Sequence, residues 1–124
     1  MSSQARNVLV VDDDDALAEM VAAYLTKHGY QCWTAPNPVP AMKLLERQSI
    51  DVVITDLMMP YADGISFTQQ IRANPRFKNL PVILLTAYPS EELHEKGMRK
   101  GVAMTLEKPV NLSKLLDLVG FATH

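Results

Sequence analysis

The stretch VVITDLMMP, residues 52–60, combines a residue pattern typical of a β-strand with an aspartate at the end of that pattern. Its first four residues, Val52 to Thr55, are all β-branched, which is typical of a β-strand inside a protein. Asp56 follows directly, and Pro60 closes the stretch. A carboxylate at the tip of a buried strand is costly unless it has a partner. The rest of the chain must therefore explain why an acid stands there.

Short apolar runs and amphipathic segments alternate along the 124 residues of the chain. The apolar runs predict strands at residues 7–11, 30–35, 51–55, 80–86 and 102–107. Apolar residues at helical spacing predict helices at residues 16–28, 37–48, 63–75, 90–101 and 111–119. This alternation indicates one α/β domain over residues 1–124, with a doubly wound, five-stranded parallel sheet of order 2-1-3-4-5 and helices on both faces.

The composition excludes several other classes of protein. The chain is 48% hydrophobic and 21% charged, with a formal net charge of −2, and it lacks the basic excess of a nucleic-acid-binding protein. The lone Cys32 cannot form an internal disulfide, and we interpret it as a small buried hydrophobe in a reducing compartment. No segment resembles a signal peptide or the about 20 apolar residues of a membrane span. We expect a cytoplasmic protein without membrane insertion or direct nucleic-acid binding.

Polar residues stand at the carboxyl ends of four predicted strands. They are Asp12 and Asp13 after the first, Asp56 after the third, Thr86 at the end of the fourth and Lys108 after the fifth. The carboxyl ends of parallel strands lie on one edge of the sheet, and ligands bind outside that edge where the strand order reverses. We therefore expect these five side chains to converge on one site.

The predicted site carries an excess of negative charge. Two carboxylates about 4 Å apart repel each other by about 4 kcal/mol at an effective dielectric constant near 20. Asp12, Asp13 and Asp56 together therefore require positive charge nearby. Lys108 supplies one charge, and a hard cation with oxygen ligands supplies more. Magnesium fits best, because proteins hold it with one or two carboxylates while it keeps waters and a phosphate oxygen.

Other polar residues have simpler interpretations. Asp14 and Asp15 are expected to cap the first helix and to interact favourably with its dipole. Asp51 precedes the third strand, at the opposite end from the site, and is predicted to be a turn residue. Thr86 and Lys108 would each be unremarkable alone, and their positions at strand ends make them candidates. The three histidines, which show no metal-binding spacing, are expected to be solvated: His28, His94 and His124.

With these residues placed, the sequence resembles the receiver domains of bacterial two-component response regulators. The matching pieces are VLVVDDDD, DVVITDLMMPYADG, PVILLTA and LEKP, in the expected order and across essentially the whole chain. The resemblance implies a flavodoxin-like fold like that of the stand-alone chemotaxis receivers. It also implies a phosphorelay protein that is not an enzyme beyond catalysing its own phosphorylation and dephosphorylation.

The resemblance assigns a role to each acidic residue of the site. Asp56 would be the phosphoacceptor, receiving a phosphoryl group from a sensor histidine kinase or a histidine phosphotransfer protein. Asp13, Asp56 and the backbone carbonyl of Met58 would bind Mg²⁺ directly, and Asp12 would act mainly through a bound water. These assignments follow from the matching positions and from no other observation.

The resemblance also implies how phosphorylation is sensed. Lys108 and Thr86 would contact the phosphoryl group, and the bond between Lys108 and Pro109 would be cis. The surface formed by the fourth helix, fifth strand and fifth helix would then change, for a downstream target or an output domain absent from this chain. A phosphorylation-dependent dimer is a further option. One departure concerns Thr105, which stands where the family usually has an aromatic residue.

Two other functions remain open on the sequence alone. A receiver-like module that is never phosphorylated would serve only as an interaction domain, although such modules usually lack one of the acids or the lysine. The stretch VVDDDDA also offers the Asp-x-Asp pattern of metal-dependent phosphohydrolases with an aspartyl nucleophile. Those enzymes usually carry a cap or further acidic motifs, which a chain of this length does not accommodate.

Overall fold

A computed structural model describes residues 6–59 and 62–123 as a five-stranded sheet with five α-helices. The strands are β1 (Asn7–Val11), β2 (Gln31–Ala35), β3 (Val52–Asp56), β4 (Val82–Thr86) and β5 (Met104–Glu107). The helices are α1 (Asp15–Lys27), α2 (Pro38–Arg47), α3 (Gly64–Arg72), α4 (Glu91–Arg99) and α5 (Leu112–Ala122). All neighbouring strands pair in parallel, in the order β2-β1-β3-β4-β5, which confirms the predicted fold.

The predicted domain over residues 1–124 extends beyond what the structure describes. Residues 1–5, Pro60, Tyr61 and His124 lie outside the described residues. The expected absence of a signal peptide, the proline at the end of the opening stretch and the solvated His124 therefore stay predictions.

Both faces of the sheet are covered, so successive residues of a strand enter different parts of the core. On β1, Val8 and Val10 pack with residues of α1 and α5, while Leu9 and Val11 pack with residues of α2 and α3. This burial on both sides explains why the strands are continuous apolar runs. Cys32 on β2 is partly buried against the first of these clusters, and burial raises the pKa of its thiol.

Three of the helices, α1, α2 and α4, begin at the predicted capping residues. Asp14 Oδ1 accepts a hydrogen bond from the backbone N–H of Leu17 at 3.1 Å, and Asn37 and Ser90 cap α2 and α4 in the same way. Gly29 follows α1 with a φ of 97°, a left-handed conformation that glycine adopts without steric cost. Of the helices in the described part of the chain, none is long and apolar enough to cross a bilayer.

The structure differs from the predicted elements mainly at their ends. β4 and β5 begin two residues later than predicted. Leu80 and Val102 began the predicted apolar runs, but they are buried in the loops that precede these strands. Two short elements were not predicted. One is an antiparallel hairpin that pairs Met58–Met59 with Ala62–Asp63, and the other is a 3₁₀ turn at Pro75–Phe77. Segments of two or three residues are too short to produce a periodic pattern.

Candidate functional site

The carboxyl ends of β1 and β3 bring three acidic side chains together. β3 lies between β1 and β4, and the register pairs Val11 with Thr55. The carboxylates of Asp12, Asp13 and Asp56 each place an oxygen within 4.8 Å of the other two. Asp12 is only 1% exposed and Asp56 6%, whereas Asp13 is exposed. Two buried acids and one solvent-accessible acid therefore form one cluster.

Lys108 reaches this cluster from the loop after β5. Its Nζ lies 3.0 Å from Asp56 Oδ1 and 3.3 Å from Asp12 Oδ2. The backbone N–H of Lys108 donates to the carbonyl oxygen of Thr86 at 2.7 Å, which fixes the residue to the end of β4. The bond between Lys108 and Pro109 is cis, as the resemblance implied. One ammonium group thus contacts two of the three carboxylates.

The pKa values of Asp12 and Lys108 reflect the excess of negative charge at the site. Burial raises the pKa of Asp12, and the nearby Asp56 carboxylate raises it further against the opposing effects of the Asp14 N–H and Lys108. Burial alone would lower the pKa of Lys108, but its contacts with Asp56 and Asp12 outweigh burial and raise that pKa. Lys108 is therefore fully charged at neutral pH. Additional positive charge at the site would lower the pKa of Asp12 again.

The donor atoms of the cluster fit a hard divalent cation. All are carboxylate oxygens, which Mg²⁺ prefers, and the exposed Asp13 leaves room for the waters that Mg²⁺ retains. The predicted Met58 ligand lies two residues after Asp56, in the short hairpin. Its thioether side chain is exposed, and its backbone carbonyl stays a predicted ligand. Within residues 6–59 and 62–123, no second group of acidic, histidine or cysteine side chains forms such a cluster.

Thr86 is buried at the end of β4, next to β3 in the sheet. Its Oγ1 accepts a hydrogen bond from the backbone N–H of Tyr88 at 3.1 Å. The hydroxyl proton can still be donated to another acceptor, because a threonine hydroxyl both donates and accepts. Thr86 therefore holds the first turn of the loop that leads into α4.

Gly64 also shapes the site, and no role was predicted for it from the sequence. A Cβ atom added to Gly64 would lie 2.5 Å from the backbone oxygen of Asp56 and 2.6 Å from Leu84 Cδ1. The N–H of Gly64 donates to the carbonyl oxygen of Leu57 at 2.8 Å. The start of α3 thus packs directly on the backbone that carries Asp56. The Asp63-Gly64 pair, which ends the stretch DLMMPYADG, is the feature of the sequence that could have indicated this close approach.

The fold and the site together define a doubly wound α/β domain with an acidic pocket at the carboxyl edge of its sheet. Comparison with known proteins identifies the family. The family described as "Response regulator receiver domain" matches residues 8–120, and the chain belongs to it.

Its relatives include proteins of different lengths. The chain is 36% identical over 113 residues to the "Uncharacterized 14.6 kDa protein in sodA1 3'region" of Leptolyngbya boryana, covering 91% of this chain and 86% of that protein. It is 37% identical to the response regulator protein FleR of Pseudomonas aeruginosa, covering 93% of this chain and only 24% of FleR. The structure of the Vibrio cholerae chemotaxis protein CheY4 superposes with a TM-score of 0.91 at 30% identity, covering 95% of this chain and 98% of CheY4.

Proposed function

We propose that this receiver is phosphorylated on Asp56 in a Mg²⁺-dependent transfer from a phosphohistidine of a sensor histidine kinase or a histidine phosphotransfer protein. The observation that carries the proposal is the position of the Asp56 carboxylate. It lies 3.0 Å from the Lys108 ammonium and within the three-acid cluster, at the carboxyl edge of the middle strand. A nucleophile, a positive charge and oxygen ligands for a metal ion therefore lie next to one another.

Asp56 is a better nucleophile candidate than Asp12. Both oxygens of Asp12 are engaged, Oδ1 by the Asp14 N–H at 2.9 Å and Oδ2 by Lys108. Of the two carboxylate oxygens of Asp56, Oδ1 contacts Lys108, and Oδ2 has no polar partner among the described residues. Oδ2 is therefore available for attack. This difference argues against a phosphohydrolase that uses Asp12 as its nucleophile.

The reaction needs little more than positioning and charge stabilisation. An oxygen of Asp56 forms the new bond to phosphorus, the phosphorus–nitrogen bond of the donor breaks, and its electron pair stays on the imidazole. Lys108 stabilises the charge on the phosphoryl oxygens, and the Thr86 hydroxyl donates to one of them. Asp13, Asp56 and the Met58 carbonyl would hold Mg²⁺ directly and Asp12 mainly through a bound water, and the ion would supply further positive charge at this point. The chain thus catalyses only its own phosphorylation and dephosphorylation.

The proposed output is a change of the surface formed by α4, β5 and α5. The phosphoryl group adds about −1.5 to −2 charges beside Lys108 and Thr86. The loops after β3 and β4 then move, and the altered surface binds a downstream target protein or an output domain. A phosphorylation-dependent dimer that forms through the same surface is part of this proposal. So is a location in the cytoplasm.

The decisive experiment measures intact mass after incubation with acetyl phosphate. We expect the mass of one added phosphoryl group with Mg²⁺ and no added mass when Mg²⁺ is removed by a chelator. Circular dichroism under both conditions checks that the fold is intact. A folded protein that gains no phosphate under any condition would instead be an interaction module that is never phosphorylated.

Replacing Lys108 tests the electrostatic part of the mechanism. We expect Lys108→Ala to slow phosphorylation about 100-fold or more, because a positioned charge is lost from the transition state. Lys108→Arg keeps the charge and should retain part of the rate. The matched control is Lys114→Ala on α5, where the lysine is exposed and the rate should not change. An unchanged rate in Lys108→Ala would contradict the role given to this residue.

A further inference from the structure

Helix α4 is held to the rest of the protein by few buried groups. Gly97 is its one buried residue, and it packs against Val102. Leu93 is partly buried and packs on the cluster of Ile65, Leu84 and Val102. The other large apolar side chain of the helix, Met98, is exposed. An additional polar contact at this helix can therefore affect its position.

Such a contact exists between His94 on α4 and Thr105 on β5. The Nδ1 atom of His94 lies 3.2 Å from Thr105 Oγ1, within hydrogen-bond distance. Within the described residues, it is the one hydrogen bond that joins a side chain of α4 to a side chain of another element. Thr105 pairs in register with Leu84, whose side chain belongs to the cluster that Leu93 covers. The hydrogen bond therefore links α4 to β5 next to this apolar cluster.

The same helix is connected to the acidic pocket through Thr86. The Tyr88 N–H donates to Thr86 Oγ1, and α4 is capped two residues later by Ser90. The N–H of His94 donates to the carbonyl oxygen of Ser90 at 2.9 Å, so His94 lies in the first turn of α4. A rotation of the Thr86 side chain toward a phosphoryl group would move Oγ1 away from the Tyr88 N–H and so loosen the start of α4. His94 lies in that first turn, so such a movement would change its distance from Thr105.

We propose that the His94–Thr105 hydrogen bond restrains α4 in the unphosphorylated position and opposes activation. This inference rests on the proposed function of Asp56 and makes His94 and Thr105 positioning residues. The bond forms in either protonation state of His94, because the threonine hydroxyl can donate to a bare nitrogen or accept from an N–H group. Its effect should therefore depend on the hydroxyl at position 105.

The test uses the whole chain and beryllofluoride as a stable mimic of the phosphoryl group, in the presence of Mg²⁺. A contact made only in the unphosphorylated state lowers the affinity for a ligand that selects the other state. We expect Thr105→Val, which removes the hydroxyl, to bind beryllofluoride about two- to fivefold more tightly than the wild type. Thr105→Ser keeps the hydroxyl and should bind like the wild type. His94→Leu should match Thr105→Val, and the double variant should gain nothing further.

Amide hydrogen exchange of the unliganded proteins gives a second readout. The amides of α4 should exchange faster in Thr105→Val than in Thr105→Ser, while those of α5 should be unchanged. Unchanged affinity and exchange in Thr105→Val and His94→Leu, with normal binding by the wild type, would overturn the inference and leave the proposed function intact. A wild type that neither binds beryllofluoride nor accepts phosphate would overturn both.

Discussion

Asp56→Asn is expected to abolish phosphorylation by acetyl phosphate, as measured by intact mass. The amide that replaces the carboxylate has no anionic oxygen with which to form an acyl phosphate. The variant should also lose most of the stabilisation by Mg²⁺, because it removes one carboxylate of the cluster. For the wild type at a Mg²⁺ concentration about ten times Kd, that stabilisation is about 1.4 kcal/mol, or a rise in Tm of about 5 °C.

The matched control is Asp51→Asn, the same substitution near the amino end of β3. Asp51 Oδ2 accepts a hydrogen bond from the Asn7 N–H at 2.7 Å, and an asparagine oxygen can accept the same bond. Asp51→Asn should therefore keep both phosphorylation and the response to Mg²⁺. If Asp56→Asn still gained a phosphoryl group, peptide mapping would show whether Asp12 or Asp13 carries it, and the assignment of Asp56 would be wrong.

The fold could be predicted from the sequence because every strand of a covered parallel sheet is buried on both faces. Such strands are short apolar runs, and each is followed here by a helix with a capping residue such as Asn37 or Ser90. The same topology explains why residues far apart in the chain could be assigned to one pocket. Asp12 and Lys108 are 96 residues apart, yet the carboxyl ends of their strands meet at one edge of the sheet.

Features that depend on side-chain packing could not be predicted. His94 was expected to be solvated, and it is exposed, but its ring nitrogen also contacts Thr105. Nothing in the spacing of the two residues indicates this contact, because it depends on the rotation of α4 against β5. The close approach of Gly64 to Asp56 has the same origin, since it depends on where α3 begins relative to β3.

Gly64→Ala is expected to destabilise the protein strongly. The new Cβ would lie 2.5 Å from the Asp56 backbone oxygen and 2.6 Å from Leu84 Cδ1, far inside van der Waals contact. Neither neighbour can move easily, because Asp56 lies on the central strand of the sheet and Leu84 is fully buried. Overpacking of this kind costs about 2–3 kcal/mol, which corresponds to a fall in Tm of about 8–12 °C.

Gly120→Ala provides the matched control for this substitution. Gly120 lies within α5, and a Cβ there would meet Tyr30 Oη at 3.7 Å, an ordinary contact. Alanine in a helix interior is favoured over glycine by about 0.5–1 kcal/mol, so this variant should melt slightly higher than the wild type. Thermal unfolding by circular dichroism compares all three proteins. If Gly64→Ala melted as high as Gly120→Ala, α3 could shift away from Asp56 at little cost, and glycine would not be required beside Asp56.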